Sequence, residues 1–132
     1  LTTYQCELNE RGYEFRVLVC GGRDYNDGDK VFKTLKDIWF KCKPMSGMVI
    51  IHGGAKGADS LAGQFANKAG INNTEFKADW KQYGLKAGYI RNKTMLDEGK
   101  PHLVVAFPGG KGTAMMVKLA TDAGVEVLNV EA

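Results

Sequence analysis

Three glycine-rich turns carry most of the residues in this sequence that could do chemistry. Gly21-Gly22-Arg23-Asp24 follows the apolar run Leu18-Val19-Cys20, and His52-Gly53-Gly54-Ala55-Lys56-Gly57-Ala58-Asp59 follows Val49-Ile50-Ile51. Pro108-Gly109-Gly110-Lys111-Gly112-Thr113 follows Leu103–Phe107. Glycines let the main chain approach a ligand closely, and the unpaired amides of a helix's first turn, reinforced by the helix dipole, favour a phosphate. Anion binding is the chemistry expected of such turns. One Gly-Gly turn says little. Three equivalent ones mark a site, because in a parallel sheet they share the carboxyl edge of the strands, where ligands bind.

Side chains in and beside the turns extend this reading, each with a plainer alternative. Arg23 and Arg91 flank glycine turns and can clamp a phosphate bidentately, or they form surface ion pairs. Lys56 and Lys111 are phosphate partners or solvated loop tips, and Thr113 gives its hydroxyl to a phosphate or to the helix it precedes. Asp59 bonds a ribose hydroxyl, or sits in a first helical turn where a negative charge suits the dipole. Asp24 contributes a carboxylate or only forms its turn. His52 is expected to pin its turn by hydrogen bonding rather than to act as acid or base. Trp80 and Tyr83 stack on a base or pack against the sheet, and Met115-Met116 is read as core-facing. The expected ligand-binding set is Gly21, Gly22, Arg23, Asp24, His52, Gly53, Gly54, Lys56, Gly57, Asp59, Arg91, Asn92, Pro108, Gly109, Gly110, Lys111, Gly112 and Thr113. Asp24, Asp59 and Arg91 are the catalytic candidates. No metal site is expected.

These residues need elements to hold them. Phe15–Cys20 reads as a strand, and Val31, Phe32, Leu35, Ile38, Trp39 and Cys42 then repeat at helical spacing, with Asn26 or Asp27 as cap and Lys43-Pro44 as the stop. Met48–His52 is a second strand. Ala58, Leu61, Ala62, Phe65, Ala66 and Ala69 form an amphipathic helix that Gly70 ends. Thr74–Ala78 is a weaker strand, Asp79–Gly88 a loop or helix entrance, and Tyr89–Glu98 a polar helix of poor periodicity closed by Gly99-Lys100-Pro101. Leu103–Phe107, a helix over Thr113–Ala123 and a strand over Val125–Val130 complete the pattern. Strands alternating with helices at short spacing mean a parallel sheet covered on both faces by right-handed crossovers. The expected architecture is α/β, a Rossmann-like three-layer α/β/α sandwich with a mostly parallel sheet of five strands or slightly more.

Composition narrows the setting. A chain of 132 residues, 44% hydrophobic and 25% charged, is expected to be one domain over residues 15–132, preceded by an arm or edge strand over residues 1–14. Seventeen glycines are nearly twice the usual share of about 7%, and without a collagen-like period they belong to turns. The net charge of +3 is mild and its basic residues are scattered, so nothing demands a nucleic-acid or membrane surface. Cys6, Cys20 and Cys42 are odd in number and lack metal-ligand spacing, and no leader or spanning segment is expected. Cytoplasmic localisation is the simplest reading, with Cys20 as a small buried hydrophobe.

The generic nucleotide motifs stop short. Gly21-Gly22 is not G-x-G-x-x-G, the second turn has His52 where that motif needs glycine, and Gly110-Lys111-Gly112-Thr113 is not a Walker A sequence. The segments RVLVCGGRDY, HGGAKGADSLA, ADWKQYGLKAGYIRN and VVAFPGGKGTAMM nevertheless resemble, in order, the pattern of the YspA-like, cpYpsA-related branch of the SLOG superfamily. That superfamily includes the Lonely-guy phosphoribohydrolases, the molybdenum-cofactor carrier protein and DprA, and the match spans about residues 15–130. The resemblance implies a Rossmann-like fold whose glycine turns hold a nucleotide or nucleotide-derived ligand, often in phage, plasmid or bacterial defence settings. Lonely-guy enzymes resemble this chain at P-G-G-x-G-T and at the preceding Arg, matched by Arg91. Their motif glutamate falls on Met116, which can neither stabilise an oxocarbenium-like centre nor accept a proton. Asp24, Asp59 and Asp79 are the carboxylates that stand near strand ends instead.

Three classes of function remain at this point. A module that senses or carries a nucleotide-derived ligand leads, with no certain cofactor. A nucleotide N-glycosidase or phosphoribohydrolase is the alternative, and DNA binding in the manner of DprA is the third. A homo-oligomer, most simply a two-fold dimer, is implied by the Lonely-guy resemblance, no membrane partner is expected, and nucleic acid is not the favoured partner.

Overall fold

The computed structural model describes residues 4–5, 7–9, 12–43 and 47–131. Cys6 and Pro44, and the side chain of Cys42, lie outside the described residues. The elements are β1 (Tyr4–Gln5), β2 (Glu7–Asn9), β3 (Gly12–Cys20), α1 (Gly28–Lys41), β4 (Cys42–Lys43), β5 (Met48–His52), α2 (Ala58–Ala69) and β6 (Asn72–Glu75). They continue with α3 (Trp80–Tyr83), a 3-10 turn over Gly84–Lys86, α4 (Ala87–Gly99), β7 (Leu103–Ala106), α5 (Lys111–Asp122) and β8 (Glu126–Asn129).

Five strands pair in parallel in the order β6-β5-β3-β7-β8, while β2 runs antiparallel to the first part of β3 and β1 pairs with β4. Val17 stands opposite Ile50 on β5 and Leu103 on β7, so β3 is the central strand. Side chains alternate across the sheet, as a pleat buried on both faces requires. Val17, Val19, Ile50, Leu103 and Val105 meet Val31, Leu35, Ile38, Ala62 and Phe65 beneath α1 and α2. Leu18, Cys20, Ile51, Val104 and Ala106 meet Met95, Leu96, Met116 and Ala120 beneath α4 and α5. The chain is thus a Rossmann-like three-layer α/β sandwich. Each fully buried Leu, Ile or Val contributes about 1.5–3 kcal/mol.

Local chemistry sets the ends of the elements. Asp27 rather than Asn26 caps α1, its Oδ1 accepting the Lys30 N–H at 3.0 Å. Gly70 adopts the left-handed conformation that ends α2. Several boundaries differ from the sequence reading. β3 begins at Gly12, because pairing with β2 extends it, and α1 stops at Lys41 because Cys42–Lys43 pairs with β1. β6 lies at Asn72–Glu75, short, polar and exposed at the sheet edge, where no alternation marks it. α4 starts at Ala87, and α5 starts at Lys111 with Gly110 as N-cap, so Lys111, Gly112 and Thr113 form the helix's first turn rather than a loop.

The three glycine turns meet main chain to main chain. Gly22 N–H donates to Pro108 O at 2.9 Å, and Ala58 N–H donates to Gly22 O at 3.3 Å. Gly57, at φ +82°, faces the Gly22 and Arg23 carbonyls so closely that a Cβ would strike them. Gly57→Ala is therefore expected to lower stability by about 2 kcal/mol or more through backbone strain. Gly112→Ala, with open space around its Cβ, is expected to raise stability by about 0.5–1 kcal/mol as a helical Gly→Ala change. Urea unfolding followed by circular dichroism measures both, and equal midpoints for the two variants would contradict the packing just described.

Candidate functional site

In an open parallel sheet, ligands bind where the strand order reverses, outside the carboxyl ends of the strands. Here that crevice lies beyond β3 and β7. A cleft of about 330 Å³ opens there, lined by Cys20, Gly21, Gly22 and Arg23 from the first turn, Ala55 and Asp59 from the second, and Gly110, Gly112, Thr113 and Met115 from α5. Trp80, Gly88, Arg91, Asn92 and Met95 close its remaining side. The volume lies at the lower end of the range for small-molecule pockets.

The second turn is held by its own side chains. Asp59, 6% exposed, accepts the Gly53 N–H at 3.0 Å and the Ala55 N–H at 3.3 Å, both on Oδ2. His52 Nδ1 accepts the Gly54 N–H at 3.0 Å. Burial pushes the Asp59 carboxyl above its ordinary range, while the Ala55 amide, the Arg91 and His52 charges and the Gly53 amide pull it back. Burial likewise draws the Arg91 guanidinium below its ordinary value, Asp59 opposing this and the nearby Arg23 charge adding to it. The Cys20 thiol is pushed up to about 12, first by burial and then by Asp59, which leaves it unreactive.

α4 ties two turns together. Arg91 donates through Nη1 to Gly53 O at 2.9 Å and through Nε to Asn92 Oδ1 at 3.0 Å, and Asn92 Nδ2 donates to Gly112 O at 3.3 Å. The start of α5 has no side-chain cap, and Ala114 N–H bonds to Gly110 O. The amides of its first turn therefore have no partner within the helix. Arg23 is exposed at the mouth, its guanidinium 5.6 Å from the centre of the Trp80 ring.

Of the expected site residues, Gly21, Gly22, Arg23, Asp59, Arg91, Asn92, Gly110, Gly112 and Thr113 line this cleft. Gly53 and Gly54 border a smaller chamber of about 190 Å³ beside it, together with Arg23, Lys77, Trp80 and Arg91. Pro108 and Gly109 line a separate hollow near Val130. Asp24, Lys56 and Lys111 are exposed outside the cleft, and His52 and Gly57 hold turns rather than face it. Asp79, a carboxylate candidate, instead caps α3 by accepting the Gln82 N–H at 3.0 Å. The methionine pair divides: Met116 is fully buried in the core, whereas Met115 reaches the cleft. Gly88 and Met95, outside the expected set, share one face of α4 with Arg91 and Asn92 at spacing i, i+3, i+4, i+7, and that spacing is the signal that could have found them. Among the described residues no group of His, Cys, Asp and Glu could hold a metal ion, and no helix is long and apolar enough to cross a membrane.

A Rossmann-like sheet with glycine turns converging on a strand-end cleft defines a class of α/β folds. Within it, the chain belongs to the YspA, cpYpsA-related SLOG family (YAcAr), whose model matches residues 15–83. It is 37% identical over 121 residues to the Gene 61 protein of Mycobacterium phage D29, covering 86% of this chain and 94% of the phage protein. Its fold is similar to that of DNA processing protein A (DprA) from Streptococcus pneumoniae, with a TM-score of 0.72 and 16% identity over 90% of this chain; it spans only 51% of the DprA chain. It is also similar to the Moco carrier protein from Chlamydomonas reinhardtii, with a TM-score of 0.60 and 18% identity over 89% of this chain and 76% of that one.

The Asp59 geometry makes a pH-dependent prediction. Its native pKa lies above the ordinary 3.8, so the stability linked to its proton is full below that value and is lost as pH rises through the native pKa. Asp59→Asn keeps one oxygen to accept both amides and is expected to flatten this part of the pH profile. Asp59→Ala strands two amides and is expected to cost about 1.5–3 kcal/mol near neutrality. Urea midpoints measured between pH 3 and pH 8, on the order of the carboxyl titration range, check both outcomes.

Proposed function

We propose that the chain binds a nucleotide or nucleotide-derived phosphate ligand in the cleft beyond β3 and β7, as a sensor or carrier of that ligand. The carrying observation is the meeting of an uncapped α5 N-terminus, open across Gly110 and Gly112, with the guanidinium groups of Arg23 and Arg91. Arg23 disfavours the charge on Arg91, so an anion between them relieves their mutual repulsion. Helix amides and guanidinium groups together supply the donors a phosphate needs. Kinship with a carrier fold and with DprA is consistent with this reading without fixing the ligand.

The phosphoribohydrolase alternative has less to stand on. Asp59 is the one carboxylate among the described residues that lines the cleft, and its hydrogen bonds go to the turn that it holds. DNA binding in the manner of DprA requires a larger basic surface than the cleft itself. A bacterial cytoplasm, or one carrying a phage, is the setting that goes with the sensor reading.

AMP titrated by calorimetry into the wild type is expected to bind, and Gly110→Val, whose Cβ enters open space, is expected to fold yet lose that binding. Gly54→Val is the poorer probe, because Gly54 sits at φ +71° against the Glu75 side chain. Unchanged affinity in folded Gly110→Val overturns the cleft assignment. Chromatography of the same wild-type samples is expected to recover AMP intact, and free adenine turns the reading toward the enzyme. The reading also includes a two-fold dimer formed around the start of α4, where Leu85 is 99% exposed and Tyr89 lies open to solvent. Light scattering at micromolar concentration is expected to give twice the chain mass, and a monomer counts against the dimer.

A further inference from the structure

Trp80 is a large apolar residue standing 47% exposed at the mouth of the cleft. It opens α3, and because Asp79 caps that turn, the main chain beneath the indole is fixed without burying the ring. The far edge of the ring lies against Gly88 of α4, where an added Cβ would stand 3.5 Å from Cη2. The ring borders both the main cleft and the smaller chamber beside it. Arg23 covers it from 5.6 Å, a cation over a π surface that remains in contact with water. Two further cations border the same cavities, Arg91 and Lys77, the latter paired with Glu75 at 3.5 Å, in a chain whose whole net charge is +3. An anionic ligand is drawn toward this wall.

Resting on the nucleotide reading above, we infer that Trp80 is the base platform of the site. The base of the ligand stacks on the indole where the Arg23 guanidinium now lies, and Arg23 turns from the ring to the phosphate. The exchange replaces an exposed cation–π contact by a stack between two flat rings, and gives the guanidinium an oxygen anion to bond. Inorganic phosphate satisfies Arg23 and leaves the indole bare. A nucleoside covers the indole and leaves Arg23 without its partner. A nucleotide does both, so the pair selects for a base and a phosphate carried on one molecule.

Trp39→Phe leaves Trp80 as the one indole of the chain, since the sequence has two tryptophans. This protein is titrated with AMP, GMP, CMP and UMP, with ribose 5-phosphate and with adenosine, following both emission and heat. Nucleotides are expected to change Trp80 emission and to bind more tightly than ribose 5-phosphate or adenosine. Trp80→Ala is expected to weaken nucleotide binding about ten-fold while leaving ribose 5-phosphate unaffected, and Trp80→Phe to restore most of the loss. Nucleotide binding heat with unchanged emission, or an undiminished nucleotide affinity in Trp80→Ala, overturns the platform and leaves the cleft assignment standing. Absence of binding heat with every phosphorylated probe overturns both.

Discussion

Main-chain contact among the three glycine turns is the constraint on which the rest of this structure depends. Gly22 both donates to Pro108 O and accepts from Ala58 N–H, so the turn after the central strand is bonded to the turns on its two sides. A buried main-chain group left unpaired costs about 1–3 kcal/mol, which makes this arrangement resistant to sliding in a way that apolar layers are not. Side chains have no room between the turns: a Cβ at Gly22 would lie 3.0 Å from Pro108 O, and one at Gly109 would lie 2.7 Å from Gly22 N. Much of the glycine that looks like ligand-binding sequence is thus spent on bringing turn to turn. The cleft is the space that remains beyond this contact.

A second consequence concerns which polar groups are left for a ligand. Asp59 and His52 are committed to the amides of Gly53, Gly54 and Ala55, and Arg91 and Asn92 reach across to the carbonyls of Gly53 and Gly112. These four residues position the walls. The less committed groups are the first amides of α5, the remaining guanidinium nitrogen of Arg91, and Arg23 with Trp80 at the mouth. Donors predominate in that set, and the buried carboxylate of Asp59 resists ionisation. The cleft is thus richer in donors than in acceptors, which is the balance that the proposed anionic ligand calls for.

The fold was legible in the sequence wherever a strand is buried on both faces or a helix has one apolar stripe. Leu103–Phe107, Met48–His52 and the Val31, Leu35, Ile38 stripe carry such patterns, and the structure places them accordingly. Edge elements are less legible. Asn72–Glu75 is exposed along its whole length, so its side chains carry no alternation and its position comes from pairing with β5. Gly112 reads as loop and moves the expected start of α5 to Thr113, whereas the helix begins at Lys111 behind an extended Gly110. For the site, spacing identified the turns but not their partners. That Asp59 faces its own turn, that Asp79 caps α3, and that Asp24 lies outside the cleft are matters of side-chain direction, which residue type does not encode.

Helix phase decides what chemistry α5 can offer. By resemblance to the Lonely-guy motif, the position of the catalytic glutamate falls on Met116, and here that side chain is fully buried with Leu18, Ile51 and Met95 against the sheet. A carboxylate placed there would be desolvated among apolar groups and would take up a proton rather than act as a base. Met115, one residue earlier and about 100° around the helix, is the side chain of the pair that lines the cleft. The missing carboxylate and the burial of its position are therefore linked: the core has closed over residue 116 with a thioether. What α5 still presents to the cleft is its amide-bearing first turn and the Met115 side chain, hydrogen-bond donors and an apolar surface rather than a carboxylate.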